Sequence, residues 1–264
     1  MTYPEWASLA VNIDDLEYVP YPTIAQPKLN GIRAKWDHKE QLFISRQCKH
    51  WRPELLPGLY NKMKQFKDVS FDGELYCHRM SLQDINSRVS INALEPHEDV
   101  DKIDFHPFDI ISTEKTTNRQ KKLEQYPLSI VPYYHCSTDK DTYTLLDTIQ
   151  RTGYEGLMVR LLGLPYIVGR SMATIKIKSW KYAAVTIIRC TIGEGKNSDR
   201  LGRFYCKLSS GKMVKVGGGH ISDMERLHVW NNQAYYIGKK LNIRYRDLSN
   251  NDIPQHPQMI SIPS

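Results

Sequence analysis

The chain has 264 residues, 41% apolar and 25% charged, room for one large soluble domain or two ordinary ones. No apolar run approaches the roughly 20 residues that cross a bilayer, and the start, MTYPEWASLA, lacks the basic stretch and apolar block of a secretory signal. Five cysteines, none spaced as C-x-x-C, exclude a zinc knuckle or a dithiol redox motif and point to reduced thiols in a cytosol.

In chain order the predicted elements are mostly short strands. Tyr21 to Ala25 reads as a strand, and Lys28 follows it in QPKLNGIR. IRAKWD and QLFISR come next, then a short amphipathic helix over Pro53 to Lys67, where Leu55, Leu59, Met63 and Phe66 recur at helical spacing. VSFDGELYC and KIDFHPFDII are strands. DTYTLLDTIQR, Asp141 to Arg151, is a helix with Gly153 beyond its end. EGLMVR and ATIKIKSW close the first part, which is α+β.

After Trp180 the pattern changes. VTIIRCTIGEG, GRFYCKLSSG, GKMVKVGGG and KLNIRYRDL are strand-like, with one helical run, ISDMERLHVWNN, between the last two. About 80 residues of this kind fit a small OB-type barrel. The expected domains are therefore 1–181 and 182–264. Residues 1–180 carry 23 basic and 23 acidic side chains, whereas residues 181–264 carry 13 and 6, so the whole excess of +7 lies in the last third. A basic module beside a neutral one is what a polyanion binder has. No additional N-terminal DNA-binding domain is expected, because strand signals and Lys28 begin within the first 30 residues.

Several stretches carry chemistry. A nucleophilic Lys28 must lose a proton, which needs burial or neighbouring cations; Gly31 lets backbone pass close to a ligand. In FDGELY, alternation puts Asp72, Glu74 and Tyr76 on one face. A carboxylate there binds a metal, accepts from a ribose hydroxyl, or forms a structural ion pair. Glu155, opening EGLMVR, suits a hard cation or a hairpin edge. Lys176 and Lys178 alternate onto one face about 7 Å apart and repel unless an anion lies between them. Arg46 ends a strand where a guanidinium reaches a phosphate, and Phe108 is a core ring or a base-stacking one.

Read together, these segments resemble the covalent nucleotidyltransferase superfamily: ATP-dependent DNA ligases, RNA ligases and mRNA capping enzymes. The order is KLNG (28–31), SR (45–46), FDGEL (71–75), FD (108–109), EGLMVR (155–160) and KIK (176–178). The chain is most similar to the small ATP-dependent DNA ligases of phages, viruses and some bacteria. The resemblance implies an ATP-grasp-like nucleotidyltransferase domain of antiparallel sheets and helices, then an OB-fold barrel. It implies a lysyl-AMP intermediate on Lys28, with Gln26 at the adenine edge, Arg33 and Arg46 at phosphates, and Glu74 near the ribose. Phe108 would stack on adenine, and Lys176 and Lys178 would bind phosphate. Glu155 and Glu74 would hold Mg²⁺ or Mn²⁺. Arg170, Lys181, Arg200 and Arg203 would bind DNA. The implied partner is nicked duplex DNA, with no membrane, a monomeric state and a cytoplasmic location (the host's, if viral). An RNA ligase, a capping guanylyltransferase and a catalytically weakened nucleic-acid binder are the alternatives. Two departures stand out. Asn30 replaces a usual aspartate, and the tail IPQHPQMISIPS has Gln255 and His256 where a basic residue is usual.

Overall fold

In this computed structural model the described residues are 6–13, 16, 18–178, 180–217, 221–249 and 251–261. They form two units, Met1–Lys178 and Ser179–Ser264. The two glycines after Gly217 in GKMVKVGGG lie outside the described residues.

The first unit contains β1 (Ser8–Asn12), β2 (Thr23–Lys28), β3 (Ile32–Asp37), β4 (Leu42–Ser45), α1 (Pro57–Met63), β5 (Phe71–Tyr76) and α2 (Leu82–Arg88). It continues with β6 (Asp104–Ile110), α3 (Thr116–Leu123), β7 (Tyr134–Cys136), α4 (Asp139–Arg151), β8 (Gly156–Leu161) and β9 (Gly169–Ile177). Two sheets result, one ordered β1-β9-β8-β2-β7 and one ordered β4-β3-β5-β6. The first is mostly antiparallel, with β1 parallel to β9. Its apolar face buries Ala25, Leu157, Val159, Ile175 and Ile177 with Leu146 and Ile149 of α4. The second packs Trp36, Phe43, Phe71, Leu75 and Phe105 with Leu59, Tyr60 and Met63 of α1. Trp36, Phe43 and Tyr60 meet edge to face at 5.1–5.8 Å, a geometry that adds to area burial.

Three local expectations change. The strand before Lys28 runs on through Pro27 to Lys28 itself. β7 pairs only with Thr23–Ala25, so β2 is an edge at Pro27 and a residue without an N–H is tolerated there. The helix expected over Pro53 to Lys67 is a 3-10 turn, Pro53–Leu55, and then α1. Pro57 lacks the donor that a continuous helix would need, and it starts α1 instead. The helix expected from Asp141 starts at Asp139. Thr138 accepts from the Asp141 N–H, and the Asp141 carboxylate accepts from Thr138 N–H, a reciprocal cap.

The second unit contains β10 (Lys181–Ile192), β11 (Leu201–Lys207), β12 (Met213–Gly217), α5 (Asp223–Asn231), α6 (Gln233–Tyr236), β13 (Lys240–Tyr245), β14 (Asp247–Leu248), β15 (Pro254–Gln255) and β16 (Gln258–Met259). β10-β11-β12-β16-β13 close into a barrel around Val185, Ile187, Phe204, Val216, Leu241 and Ile243. The closing strand is two residues long, too short to register as a periodic pattern. No helix among the described residues is long and apolar enough to cross a membrane.

Candidate active site

Strand alternation decides which side chains meet. With Ala25, Leu157, Val159 and Ile175 committed to the α4 side, the other face of the first sheet carries Gln26 and Lys28 of β2, Met158 and Arg160 of β8, and Thr174 and Lys176 of β9. Of these, Gln26, Lys28, Met158, Arg160 and Lys176 line a cavity of about 1300 Å³. Arg33, Glu74 and Phe108 of the second sheet line it too, as do Arg46 in the turn after β4, Glu155 and Arg170. Nine of the ten sequence-predicted site residues of this unit therefore share one cavity. Lys178 is brought in through Glu155.

Glu155 sits one residue before β8, where its N–H donates to the Lys28 carbonyl at 3.2 Å. Its carboxylate pairs with the Lys28 ammonium through one oxygen and with the Lys178 ammonium through the other. The anion between lysines anticipated from IKIK is thus supplied, for Lys178, by the protein itself. Gly156 makes the turn into β8 possible, because a Cβ there would lie 2.2 Å from the Ile177 carbonyl oxygen.

Gly31 has the same role across the cleft. A Cβ on it would meet the Leu75 carbonyl oxygen at 2.4 Å and Glu74 Cγ at 2.8 Å. The Gly31 N–H donates to Glu74 Oε1 at 3.2 Å. Desolvation pushes the Glu74 carboxyl up to about 7, against the pull of Lys28, Arg33 and this N–H. Its neighbour on the same face, Asp72, is fully buried as an ion pair. It accepts from Arg33 Nε at 2.9 Å and Nη2 at 2.5 Å, and from the Tyr166 hydroxyl at 2.7 Å. FDGELY thus divides its carboxylates: Asp72 is structural and Glu74 lines the cavity. Arg33 is bound to Asp72, with its guanidinium 5.4 Å from the Trp6 ring and 5.6 Å from the Phe108 ring.

Beneath the Phe108 end lies a buried polar network that sequence reading missed. Asp109 accepts from Arg119 at 2.7 and 3.1 Å and from Arg160 Nη1 at 3.0 Å. Arg160 Nε donates to Gln26 Oε1 at 2.8 Å. The Gln26 amide nitrogen faces the Phe108 carbonyl at 3.1 Å, Gln120 Oε1 at 3.2 Å and the Val131 carbonyl at 3.4 Å. The Gln26 side chain is therefore engaged inside the protein on both its polar atoms. The one available signal was the run of polar residues in FDGELY, FD and EGLMVR, which gave no pairing.

In the barrel, β10, β11 and β12 carry Lys181, Arg189, Arg203, Lys207 and Lys215 and no acidic residue. Register sets Arg189, Tyr205 and Lys215 side by side, with Arg203 in the next outward row. Arg189 Cζ lies 4.3 Å and Lys215 Nζ 5.2 Å from the Tyr205 ring centroid. The Tyr205 hydroxyl is drawn below its usual pKa, first by its hydrogen bond to Lys215 and then by the surrounding cations. Arg200 differs. It pairs with Asp199 at 2.6 Å and Asp223 at 3.1 Å. Arg170 donates to the Ala10 carbonyl at 2.7 Å.

Comparisons with known proteins follow this division. Residues 192–262 match the family described as DNA ligase OB-like domain. The DNA ligase of African swine fever virus (isolate Tick/South Africa/Pretoriuskop Pr4/1996) is 25% identical over 261 residues, spanning 86% of this chain and 59% of the viral protein. The chain thus spans about three-fifths of the length of the curated relatives it matches. Among solved structures, a Lig E DNA ligase superposes with a TM-score of 0.74 at 23% identity, over 97% of this chain and 98% of that one. The Chlorella virus DNA ligase-adenylate gives 0.55 at 22%, covering 97% of each chain. The bacteriophage T7 ATP-dependent DNA ligase gives 0.51 at 16%, over 96% of this chain and 98% of that one. The chain therefore carries the nucleotidyltransferase-plus-OB fold of the ATP-dependent DNA ligases, with a DNA ligase OB-like domain over residues 192–262.

Proposed function

We propose that this chain is an ATP-dependent DNA ligase that seals 3′-hydroxyl/5′-phosphate nicks in duplex DNA, acting as a monomer in a cytoplasm. Residues 1–181 serve as the adenylation domain and 182–264 as the OB domain. The observation that carries the reading is Glu155 lying between Lys28 and Lys178 on a cavity that also presents Glu74, Lys176 and Phe108.

In the first step the Lys28 amine attacks the α-phosphorus of ATP. A phosphoramidate bond forms, and the bond from the α-phosphorus to pyrophosphate breaks with the electron pair leaving on pyrophosphate. The Lys28 proton passes to water by way of the Glu155 carboxylate paired with it. Lys176 and Lys178 balance charge on the phosphates, and Glu74 accepts from the ribose. The AMP then passes to the 5′-phosphate at the nick, and attack by the 3′-hydroxyl expels AMP. Mg²⁺ is commonly held by one or two carboxylates plus substrate phosphates. Glu155 and Glu74 are the glutamates lining this cavity, so the donor set fits such a cation. Among the described residues no three His, Cys, Asp or Glu gather into a metal cage. When bound, the cation supplies positive charge against the phosphates. Duplex DNA would lie on the outward faces of β10–β12, held by Lys181, Arg189, Arg203 and Lys215, with Arg170 on the first unit as a further contact.

The test is incubation of nucleotide-free protein with α-labelled ATP and Mg²⁺, followed by a nicked duplex. Covalent AMP on Lys28 and a joined strand are expected. Absence of both label and joining overturns the reading.

A further inference from the structure

The Arg160 guanidinium is 96% buried, yet it lines the cavity. Its Nε is used by Gln26, and its Nη1 by Asp109 and, at 3.4 Å, by Thr174. Nη2 has no hydrogen bond among the described residues. The buried side-chain atoms without a partner among the described residues do not include Nη2, so this donor opens onto the cavity, where a ligand can supply its acceptor. Its surroundings say which kind. The guanidinium carbon lies 5.2 Å from the Phe108 ring centroid, so this end of the cavity offers an aromatic surface beside a fixed donor. Arg160 stands four residues along β8 from Gly156, the register partner of Lys28, about 13 Å away along the strand. A nucleoside monophosphate with its phosphorus at Lys28 puts its base at that end.

The orientation of the donor is fixed by charge. Asp109 is fully buried and pairs with both Arg119 and Arg160, so the group has two cations for one anion. Arg119 is further satisfied by the Glu114 and Leu164 carbonyls. The group therefore carries a net positive charge, and Arg160 is its cation on the cavity side. Gln26, by contrast, has both polar atoms occupied within the protein.

We propose that Arg160 is a specificity-determining residue that reads the purine base directly, its Nη2–H donating to a ring-nitrogen acceptor (N1, N3 or N7) of the adenine. Gln26 acts one step removed, as the positioning residue that holds Arg160 in place. This rests on the adenylation reading above.

The test measures single-turnover self-adenylation with ATP and with 1-deaza-, 3-deaza- and 7-deaza-ATP, each of which replaces one acceptor by C–H. In the unmodified protein one analogue loses about 10- to 100-fold in rate over dissociation constant, the range of a hydrogen bond from a charged donor. In Arg160→Met that analogue and ATP become equal within a few-fold. Arg160→Met leaves Asp109 paired with Arg119, so no uncompensated carboxylate is buried. Should it fail to fold, Arg160→Lys keeps the charge but lacks the forked donors, and the same loss of discrimination is expected. Three analogues that all match ATP in the unmodified protein overturn the proposal. So does a penalty that persists unchanged in either folded variant. Failure of the adenylation reading looks different, because ATP itself then leaves no AMP on Lys28.

Discussion

Lys28 and Glu155 contact each other twice. The Glu155 N–H donates to the Lys28 carbonyl, and the Lys28 ammonium donates back to the Glu155 carboxylate. The backbone contact fixes where the carboxylate stands, and the carboxylate sets where the amine waits. Lys28→Ala should abolish covalent adenylation while retaining sealing of a chemically pre-adenylated nick. Stability should change by no more than about 1 kcal/mol, since a partly exposed pair contributes little. Gel assays of both steps and a urea melt check this. A Lys28→Ala protein that seals neither substrate and melts early would mark the lysine as structural.

Glu74 predicts a pH dependence. Its carboxyl is raised in the folded protein to about 7 from an ordinary 4.5. Between those values the folded chain keeps a proton that the unfolded chain releases, so stability falls as pH rises through this window and is level above it. The shift corresponds to about 3 kcal/mol. Glu74→Gln should flatten the curve, make the protein more stable than the unmodified chain at pH 8, and slow adenylation. Urea titrations of nucleotide-free protein at pH 5 and pH 8 decide it. Parallel curves for the two proteins would remove Glu74 as the source.

Gly31→Ala should destabilise the first unit by about 1–3 kcal/mol, the usual cost of overpacking. The Leu75 oxygen belongs to a paired strand and cannot withdraw, so the backbone at position 31 must shift, and Glu74, in contact with it and bonded to its N–H, is displaced too. Adenylation should therefore fall by more than the loss of folded protein explains. Activity normalised to the folded fraction distinguishes this from simple unfolding.

On the barrel, Arg189→Ala and Lys215→Ala should each weaken DNA binding and lower the slope of log affinity against log salt by about one. Arg200→Ala should leave the slope nearly unchanged, because Asp199 and Asp223 already neutralise that guanidinium. Binding titrations with a nicked duplex at several salt concentrations test all three. Equal slopes for all variants would show that this face does not meet phosphate.

Much of this was legible in the chain itself. Period-two alternation placed IRAKWD, FDGELY, EGLMVR and IKIK as strands, because a half-buried strand must alternate to bury one face. The resemblance to a known family, not alternation, put Lys28, Glu74, Glu155 and Lys176 in the order of a known series. The charge count located the basic module without reference to shape. What alternation could not supply was pairing. Asp72 and Glu74 share a face and look alike in FDGELY, but only β3 packing beside β5 gives Asp72 to Arg33 and leaves Glu74 on the cavity. Arg200 has Asp199 beside it in the sequence, but only the fold brings Asp223 of α5 to it as a second anion and so separates it fully from Arg203. Gln26, Asp109, Arg119 and Arg160 come from β2, β6, α3 and β8. Their network exists because buried polar groups must find partners across the fold, and those partners lie 10 to 134 residues apart in the chain. Local pattern determines which way a side chain points; only the tertiary structure decides what it meets.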